Sequence, residues 1–166
     1  TLKRPYTNNF YIFRDRIGIQ GHVDLCANPE LVLEGFLQIG RLKTINGFDF
    51  ESMKKIREAA LKIDPKFFLS QTAGNQFIEI LKSQSSLSTI LKKMKQLGIL
   101  KLLIPEFGAI EGQMQFDMFH IYSVDEHTFK VVRNMRQMQI GKTDGSMKIE
   151  QELINKLPKI ELLYLA

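Results

Sequence analysis

Two of the three histidines in the chain lie in one short stretch, GQMQFDMFHIYSVDEHTFKVVRNM, at residues 112–135. His120 and His127 are seven positions apart, and Asp125 and Glu126 directly precede His127. Imidazole and carboxylate groups are common metal ligands and proton carriers. The stretch therefore has two interpretations: a packed core that contains imidazoles, or one half of a metal site whose other ligands lie elsewhere.

A helix is predicted to begin inside this stretch. Ser123 and Glu126 have the S-x-x-E spacing of a capping box, in which each side chain accepts a hydrogen bond from the backbone N–H of the other residue. Asp125 and Glu126 also place negative charge in the first turn, where the helix dipole favours it. Capping therefore gives both carboxylates a structural role without any chemistry.

His127 lies on an apolar stripe of this predicted helix, at helical spacing from Val124, Val131, Met135 and Met138. This pattern predicts that His127 faces inward, where an imidazole without a hydrogen-bond partner or a metal costs a few kcal/mol. A hydrogen-bonded core histidine is the commoner case, and a single histidine has no metal-ligand spacing. His120 precedes the cap, so the two imidazoles converge only if the intervening turn brings them together.

The elements that must position this stretch are mostly helical. FYIFRDRIGI at residues 10–19 predicts a strand or hairpin. The next helix is predicted with Asn28 as N-cap, Pro29 at its first position and Gly40 at its stop. Further helices are predicted in DFESMKKIREAALKID (ended by Asp64-Pro65), GNQFIEILKS, SSLSTILKKMKQLG (capped by Ser86 and followed by Gly98), MKIEQELINKLP, and from about Lys159; ILKLLIPEFGAIEG is predicted to be an apolar connector.

Composition limits the classes of function. Hydrophobic residues are 44% and charged residues 25% of the 166, which is typical of a globular protein. The net charge of +5 is spread over several segments, and no basic stripe with interleaved aromatics indicates a nucleic-acid partner. No apolar run approaches the ~20 residues of a membrane span. The single cysteine, Cys26, fits a reducing cytoplasm, and His22 is predicted to lie in a surface loop.

The stretch LIPEFGAIEGQMQFDMFHIYSVDEHTFKVVRNM closely resembles the bifunctional uridylyltransferase/uridylyl-removing enzymes that modify the PII nitrogen-signalling protein. The shared pattern runs from Pro105 through Ile110 and GQMQ at 112–115 into FH at 119–120 and YSVDEHT at 122–128. Weaker similarity covers four further stretches: NNFYIFRDRIGIQG, NPELVLEGFLQIG, SSLSTILKKMKQLGILKLLIPEFG and LPKIELLYLA. The last of these resembles the approach to the His-Asp doublet of an HD phosphohydrolase domain.

The resemblance implies a mainly α fold: a helical bundle with a short N-terminal β segment and the first helices of a truncated HD domain. It divides the chain into a strand-containing tail of a nucleotidyltransferase region (1–27), a helical linker domain (28–112) and the N-terminal part of an HD domain (113–166). It makes His127 the first metal ligand, with Asp125 or Glu126 fixing its tautomer, and leaves His120 near the phosphate or as a further ligand.

The resemblance also implies what the parent enzyme does. UMP is transferred from UTP to a tyrosine of PII, and the HD site hydrolyses the product with Mg²⁺ or Mn²⁺. Glutamine acts through domains outside this chain. Since both ends look cut, we expect an inactive internal fragment that binds metal weakly, and a dimer through the apolar IELLYL surface is an open alternative.

Two alternatives compete with the hypothesis that the chain is a fragment of a uridylyltransferase/uridylyl-removing enzyme. One is another HD-class phosphohydrolase. The other is a non-enzymatic helical interaction module, in which His127 is a core residue and Lys92, Lys93, Lys95 and Lys101 form a solvated or partner-binding face.

Overall fold

The computed structural model describes residues 2–83, 87–113, 123–142 and 147–165. The mainly helical fold with a small N-terminal sheet is confirmed. The strands are β1 (Arg4–Pro5), β2 (Phe10–Phe13) and β3 (Arg16–Ile19). The helices are α1 (Glu30–Arg41), α2 (Phe50–Ala60), α3 (Pro65–Phe68), α4 (Gln71–Leu81), α5 (Leu87–Gln96), α6 (Leu100–Leu103), α7 (Pro105–Ile110), α8 (Val124–Gln139), α9 (Lys148–Asn155) and α10 (Ile160–Leu163).

The three strands form an antiparallel sheet in the order β1-β2-β3, so the predicted hairpin over residues 10–19 is confirmed. The β2–β3 register places Tyr11 opposite Gly18. The Tyr11 ring lies so close over Gly18 that a Cβ on Gly18 would overlap ring carbon atoms. Glycine is required at this position because any larger residue would displace the ring.

Tyr11 also joins the sheet to α2. Its hydroxyl donates to the Asp49 carboxylate, and the same carboxylate accepts from the backbone N–H of Ser52 (2.9 Å), which makes Asp49 the N-cap of α2. The buried Ser52 hydroxyl accepts from the backbone N–H of Ile19 at 2.8 Å. Polar side chains thus fix the start of α2 against β2 and β3.

This junction predicts a loss of stability at alkaline pH. Burial and the hydrogen bond to Asp49 raise the pKa of Tyr11 above its usual value of 10.0. The unfolded chain therefore releases this proton first, and the free energy of unfolding falls as the pH rises from about 10 through the folded-state pKa. Tyr11→Phe should lower stability near pH 7 by about 1.5 to 3 kcal/mol, typical of a hydrogen bond to a charged group. Tyr11→Phe should also reduce the fall in the free energy of unfolding at alkaline pH.

The measurement is urea unfolding from pH 8 to 11 for the native chain and Tyr11→Phe. Tyr6→Phe is the control, because it removes a phenol that donates to Gln38 (3.1 Å) and leaves the Tyr11–Asp49 pair intact. The prediction would be contradicted if the free energy of unfolding fell equally steeply with pH in the native chain and in Tyr11→Phe.

Helix α1 packs against α4 and α5, and the interface contains buried side chains of all three helices. The predicted stop at Gly40 is wrong, because α1 continues to Arg41. Gly40 is buried inside the helix, and a Cβ there would overlap the Ser83 side chain. The glycine therefore permits close packing instead of ending the helix.

The start of α1 also differs from the prediction. Pro29 takes the N-cap position with helical dihedrals and no side-chain capping bond, so the Asn28 cap is wrong. The Asn28 side chain is used as a donor to the Asp24 carbonyl (3.1 Å). The Asp24 carboxylate in turn accepts from the backbone N–H of Cys26 at 2.8 Å, which holds a turn before the helix.

Other helix limits follow local signals. The predicted end of the second helix at Asp64-Pro65 is wrong, because α2 ends at Ala60. Asp64 instead caps α3, a short helix that was not predicted, by accepting from the N–H of Lys66, and Pro65 occupies its first position. Gly98 follows α5 with φ +77, a left-handed conformation that glycine adopts without strain. Residues 99–112, which were expected to form a connector, instead contain α6 and α7. Helix α6 ends just before Ile104, and α7 begins just after it. The predicted Ser86 cap lies outside the described residues.

The chain forms two compact units, Thr1–Gly108 and Ala109–Ala166. The first contains the sheet and α1 to α6; the second contains α8 to α10. The finer division at residues 27 and 112 stays a prediction. Among the described helices, none has an apolar stretch long enough to cross a membrane.

Candidate functional site

The N-terminus of α8 is held by backbone groups. Ser123 occupies the N-cap position with extended dihedrals (φ −62, ψ 157), as predicted, but it makes no side-chain capping bond. The predicted hydroxyl half of the capping box is therefore wrong. The N–H of Val124 donates to the carbonyl of Gln113 (3.1 Å), and the Gln113 side chain donates to the carbonyl of Ala109 (2.6 Å). Gln113 thus links the end of α7 to the start of α8.

Sequence reasoning missed this role of Gln113. A backbone carbonyl that caps a helix from a distant position has no local sequence signature, because every residue type carries a carbonyl. Gln113 belongs to the GQMQ motif, and the family resemblance was therefore the only signal that marked it.

The buried face of α8 is formed by Asp125, Phe129 and Val132, which are 0%, 2% and 4% exposed. His127 is exposed. The expectation that His127 faces inward is wrong, and so is the interpretation of His127 as a packed core residue. Two stripes of α8 have helical spacing, and the structure buries the one that contains Asp125.

The exposed imidazole stands near the beginning of a regular helix. The N–H of His127 donates to the carbonyl of Ser123 (2.9 Å), and the Thr128 hydroxyl donates to the carbonyl of Val124 (3.0 Å). These bonds hold the backbone of His127 in the first turns of the helix. Because the imidazole is exposed, its ring nitrogens are accessible to a ligand outside the helix.

The two acidic residues of the first turn differ in position. Asp125 is fully buried, and Glu126 is half-buried. Side chains two positions apart on a helix point about 200° apart, so Asp125 does not face the same way as His127. This arrangement therefore does not support the hypothesis that Asp125 fixes the tautomer of His127. Glu126, at about 100° from His127, keeps that role as a prediction.

One imidazole does not enclose a divalent metal such as Mg²⁺ or Mn²⁺, which requires further ligands. Within the described parts of the chain, no group of three His, Cys, Asp or Glu side chains is arranged to hold a metal ion. His120 lies outside the described residues. His127 therefore fits a metal site as a single outward-facing ligand, and further ligands must come from elsewhere.

The remaining candidate residues lie in the first unit. His22 is exposed in a turn after β3, as predicted. Cys26 is an exposed free thiol. The lysines of the basic face differ in burial: Lys92 and Lys101 are exposed, whereas Lys93 and Lys95 are half-buried. Lys93 donates to the Gln96 side chain (3.1 Å), so this lysine is partly engaged within its own helix.

The architecture defines the class of protein. One unit contains a three-stranded sheet and a helical bundle, and a separate helical unit carries an exposed histidine. A family model described as "Uridylyltransferase GlnD third domain" matches residues 10–102, which is more than half of the chain. The chain belongs to this GlnD uridylyltransferase family.

Curated relatives are similar over most of the chain. A bifunctional uridylyltransferase/uridylyl-removing enzyme of Azotobacter vinelandii is 38% identical over 138 residues, which are 83% of this chain and 15% of the relative. The protein of the same name from Pseudomonas fluorescens strain SBW25 is 36% identical over 163 residues, which are 98% of this chain and 18% of the relative. The chain thus spans less than a fifth of the length of these relatives. No solved structure matches it.

Proposed function

We propose that this chain serves as the central helical segment of a bifunctional enzyme that attaches UMP to PII and removes it by phosphodiester hydrolysis. UTP is the UMP donor, Mg²⁺ or Mn²⁺ is the metal, and glutamine acts through other domains. The enzyme acts in the cytoplasm. The support comes from the names of the relatives and from their similarity over 83% to 98% of the chain.

One structural observation carries the hydrolytic part of the proposal. His127 is exposed at the start of α8, and its backbone is fixed by bonds to Ser123 and, through Val124, to Gln113. A surface imidazole is otherwise free to vary in position, whereas a metal ligand must be held in place by its surroundings. The fixed start of α8 meets this requirement.

The residues of this chain would act by positioning. His127 would offer a neutral ring nitrogen to the metal, and Glu126 would hold the other nitrogen protonated. The buried face of α8 would keep the imidazole at a constant distance from the second unit's core. When bound, a divalent metal lowers the pKa of a coordinated water and polarises the phosphoryl group.

The proposal is tested in a chimera of the Pseudomonas fluorescens enzyme in which this chain replaces the segment that aligns with it. The chimera should both transfer UMP to PII and remove it. His127→Ala should slow removal by at least about 100-fold, because even residues behind a metal ligand contribute 10- to 100-fold. UMP transfer should remain within about twofold, since a surface substitution of this kind rarely affects folding.

Asn134→Ala is the matched control, because Asn134 is exposed two turns further along α8 on the same side. It should leave both reactions unchanged. The isolated chain should catalyse neither. UMP removal by His127→Ala at the rate of the control would show that His127 is not a ligand, and the hydrolytic part of the proposal would fail.

A further inference from the structure

Residues 46–49 run beside strand β3 and lead directly into α2. The N–H of Ile17 donates to the carbonyl of Gly47 (2.9 Å), and the carbonyl of Ile17 accepts from the N–H of Asp49 (3.0 Å). Phe48 lies between these two bonds and forms a parallel bridge with Ile17. The segment is therefore held by backbone bonds that require one fixed spacing between Gly47 and Asp49.

The segment begins with an Asn-Gly pair, a sequence that is prone to deamidation. The backbone nitrogen of the residue after an asparagine can attack the side-chain amide carbon, and glycine hinders this attack least because it has no Cβ. Asn46 is the only asparagine in the sequence that glycine follows. The side chain of Asn46 is also exposed, so water reaches it.

The reaction needs only this pair of residues and water. The Gly47 nitrogen forms a bond to Cγ of Asn46, the bond from Cγ to Nδ2 breaks, and Nδ2 leaves as ammonia with the proton of the Gly47 nitrogen. Water then opens the cyclic succinimide at either carbonyl. One product is aspartate, and the other is isoaspartate, in which the main chain runs through Cβ and Cγ.

Asp15 holds Asn46 away from this reaction in the folded chain. The Asp15 carboxylate accepts from the Asn46 side-chain amide (3.0 Å), and the Asp15 carbonyl accepts from the N–H of Asn46 (2.8 Å). The amide that would leave is therefore bound, and the carbonyl of Gly47 is fixed by Ile17. Rotation of the Asn46 side chain toward the Gly47 nitrogen requires local opening first.

Neither product fits this arrangement. An aspartate at position 46 would place a second carboxylate at hydrogen-bond distance from Asp15, where like charges repel. Isoaspartate adds one atom to the main chain before Gly47, so the two bonds to Ile17 lose their register. Asp49 is the N-cap of α2, and displacement of the segment therefore reaches that helix.

We propose that Asn46 is a deamidation site that Asp15 protects, and that its conversion prevents the 46–49 segment from closing again on β3. The modification is irreversible, because ammonia is lost. Each converted chain therefore carries a covalent record that this segment opened. The proposal does not depend on whether the parent enzyme transfers or removes UMP.

The test follows the tryptic peptide of residues 44–54 by mass spectrometry while the full chain is incubated in mildly alkaline buffer. Asn46 is the only asparagine in this peptide, and the peptide contains no glutamine. Asp15→Ala should deamidate about fivefold faster than the native chain, since an exposed hydrogen bond to a carboxylate contributes a factor of this size. In urea, the native chain should react at least about tenfold faster than when folded.

Asp64→Ala is the matched control, because Asp64 also accepts a backbone N–H, that of Lys66 (2.9 Å), but lies outside the segment. Its deamidation rate should stay within about twofold of the native rate, since distant sites act independently. Asn46→Asp reports the consequence of conversion and should lower the midpoint of thermal unfolding by at least about 2 °C. Asn46→Ala removes the same donor without adding charge and should lower the midpoint less.

Several outcomes would overturn the proposal. Equal rates for the native chain when folded and in urea would mean that the fold does not protect Asn46. Equal acceleration by Asp15→Ala and Asp64→Ala would assign the effect to global stability. An unchanged thermal midpoint in Asn46→Asp would mean that the product still docks on β3. Should Asp15→Ala prevent folding, Asp15→Asn weakens the same bond by removing its charge and tests the same acceleration.

Discussion

Replacing Phe36 by alanine is expected to lower the free energy of unfolding by about 3 to 5 kcal/mol, the range for large buried aromatics. Phe36 lies in the middle of α1 and is 0% exposed. Its ring packs edge-to-face against Phe48, with 5.1 Å between ring centroids. The loss combines the transfer of apolar surface, the cavity that remains and the aromatic pair.

The neighbourhood of Phe36 has little freedom to collapse into the cavity. The Phe48 ring is already so close to α1 that a Cβ on Gly35 would lie 2.7 Å from it. Phe50→Ala is the control, because Phe50 is 73% exposed at the start of α2. It should change stability by less than about 0.5 kcal/mol. Chemical denaturation measures both, and similar losses for the two variants would contradict the described core.

Gly18→Ala is expected to destabilise the chain by about 3 kcal/mol, because one added carbon would collide with the Tyr11 ring. The ring has to move, and its hydroxyl then loses the Asp49 carboxylate. Asp49 is also the N-cap of α2, so the strain reaches that helix. Overpacking of one to three kcal/mol and a charged hydrogen bond of similar size account for the expected loss.

Gly74→Ala is a glycine control with the opposite sign. Gly74 is exposed in α4, and no atom lies within 4 Å of the Cβ that alanine would add. Alanine should stabilise the helix by about 1 kcal/mol. In a Tyr11→Ala background, Gly18→Ala should lose most of its effect, since the obstructing ring is gone. An unchanged effect in that background would assign the cost of Gly18→Ala to another cause.

Much of the fold was predictable because its signals are local. The β2–β3 hairpin and Gly98, the left-handed residue that follows α5, depend on the preferences of a few adjacent residues. The two wrong predictions for α1 have different causes. Gly40 is needed because Ser83, which is distant in the sequence, packs against it. Asn28 does not cap α1, and its side chain donates to the carbonyl of Asp24, only four residues earlier.

The candidate site shows the same division. The motif around His127 was sufficient to identify the family, and residues 10–102 support that assignment independently. The start of α8 at Ser123 was also correct, although the predicted hydroxyl cap is absent and the N–H of Val124 instead donates to the carbonyl of Gln113.

The sequence by itself determined the order of the longer helices, the short N-terminal sheet and the family, but not the short helices α3, α6 and α7. Only the tertiary structure decided which stripe of α8 is buried. Val124, His127 and Val131 and likewise Asp125, Phe129 and Val132 are separated by three or four residues, so helical periodicity alone does not choose between the two sets. The choice depends on what packs against α8. It buries Asp125, Phe129 and Val132, leaves Val124 and Val131 half-buried, and exposes His127.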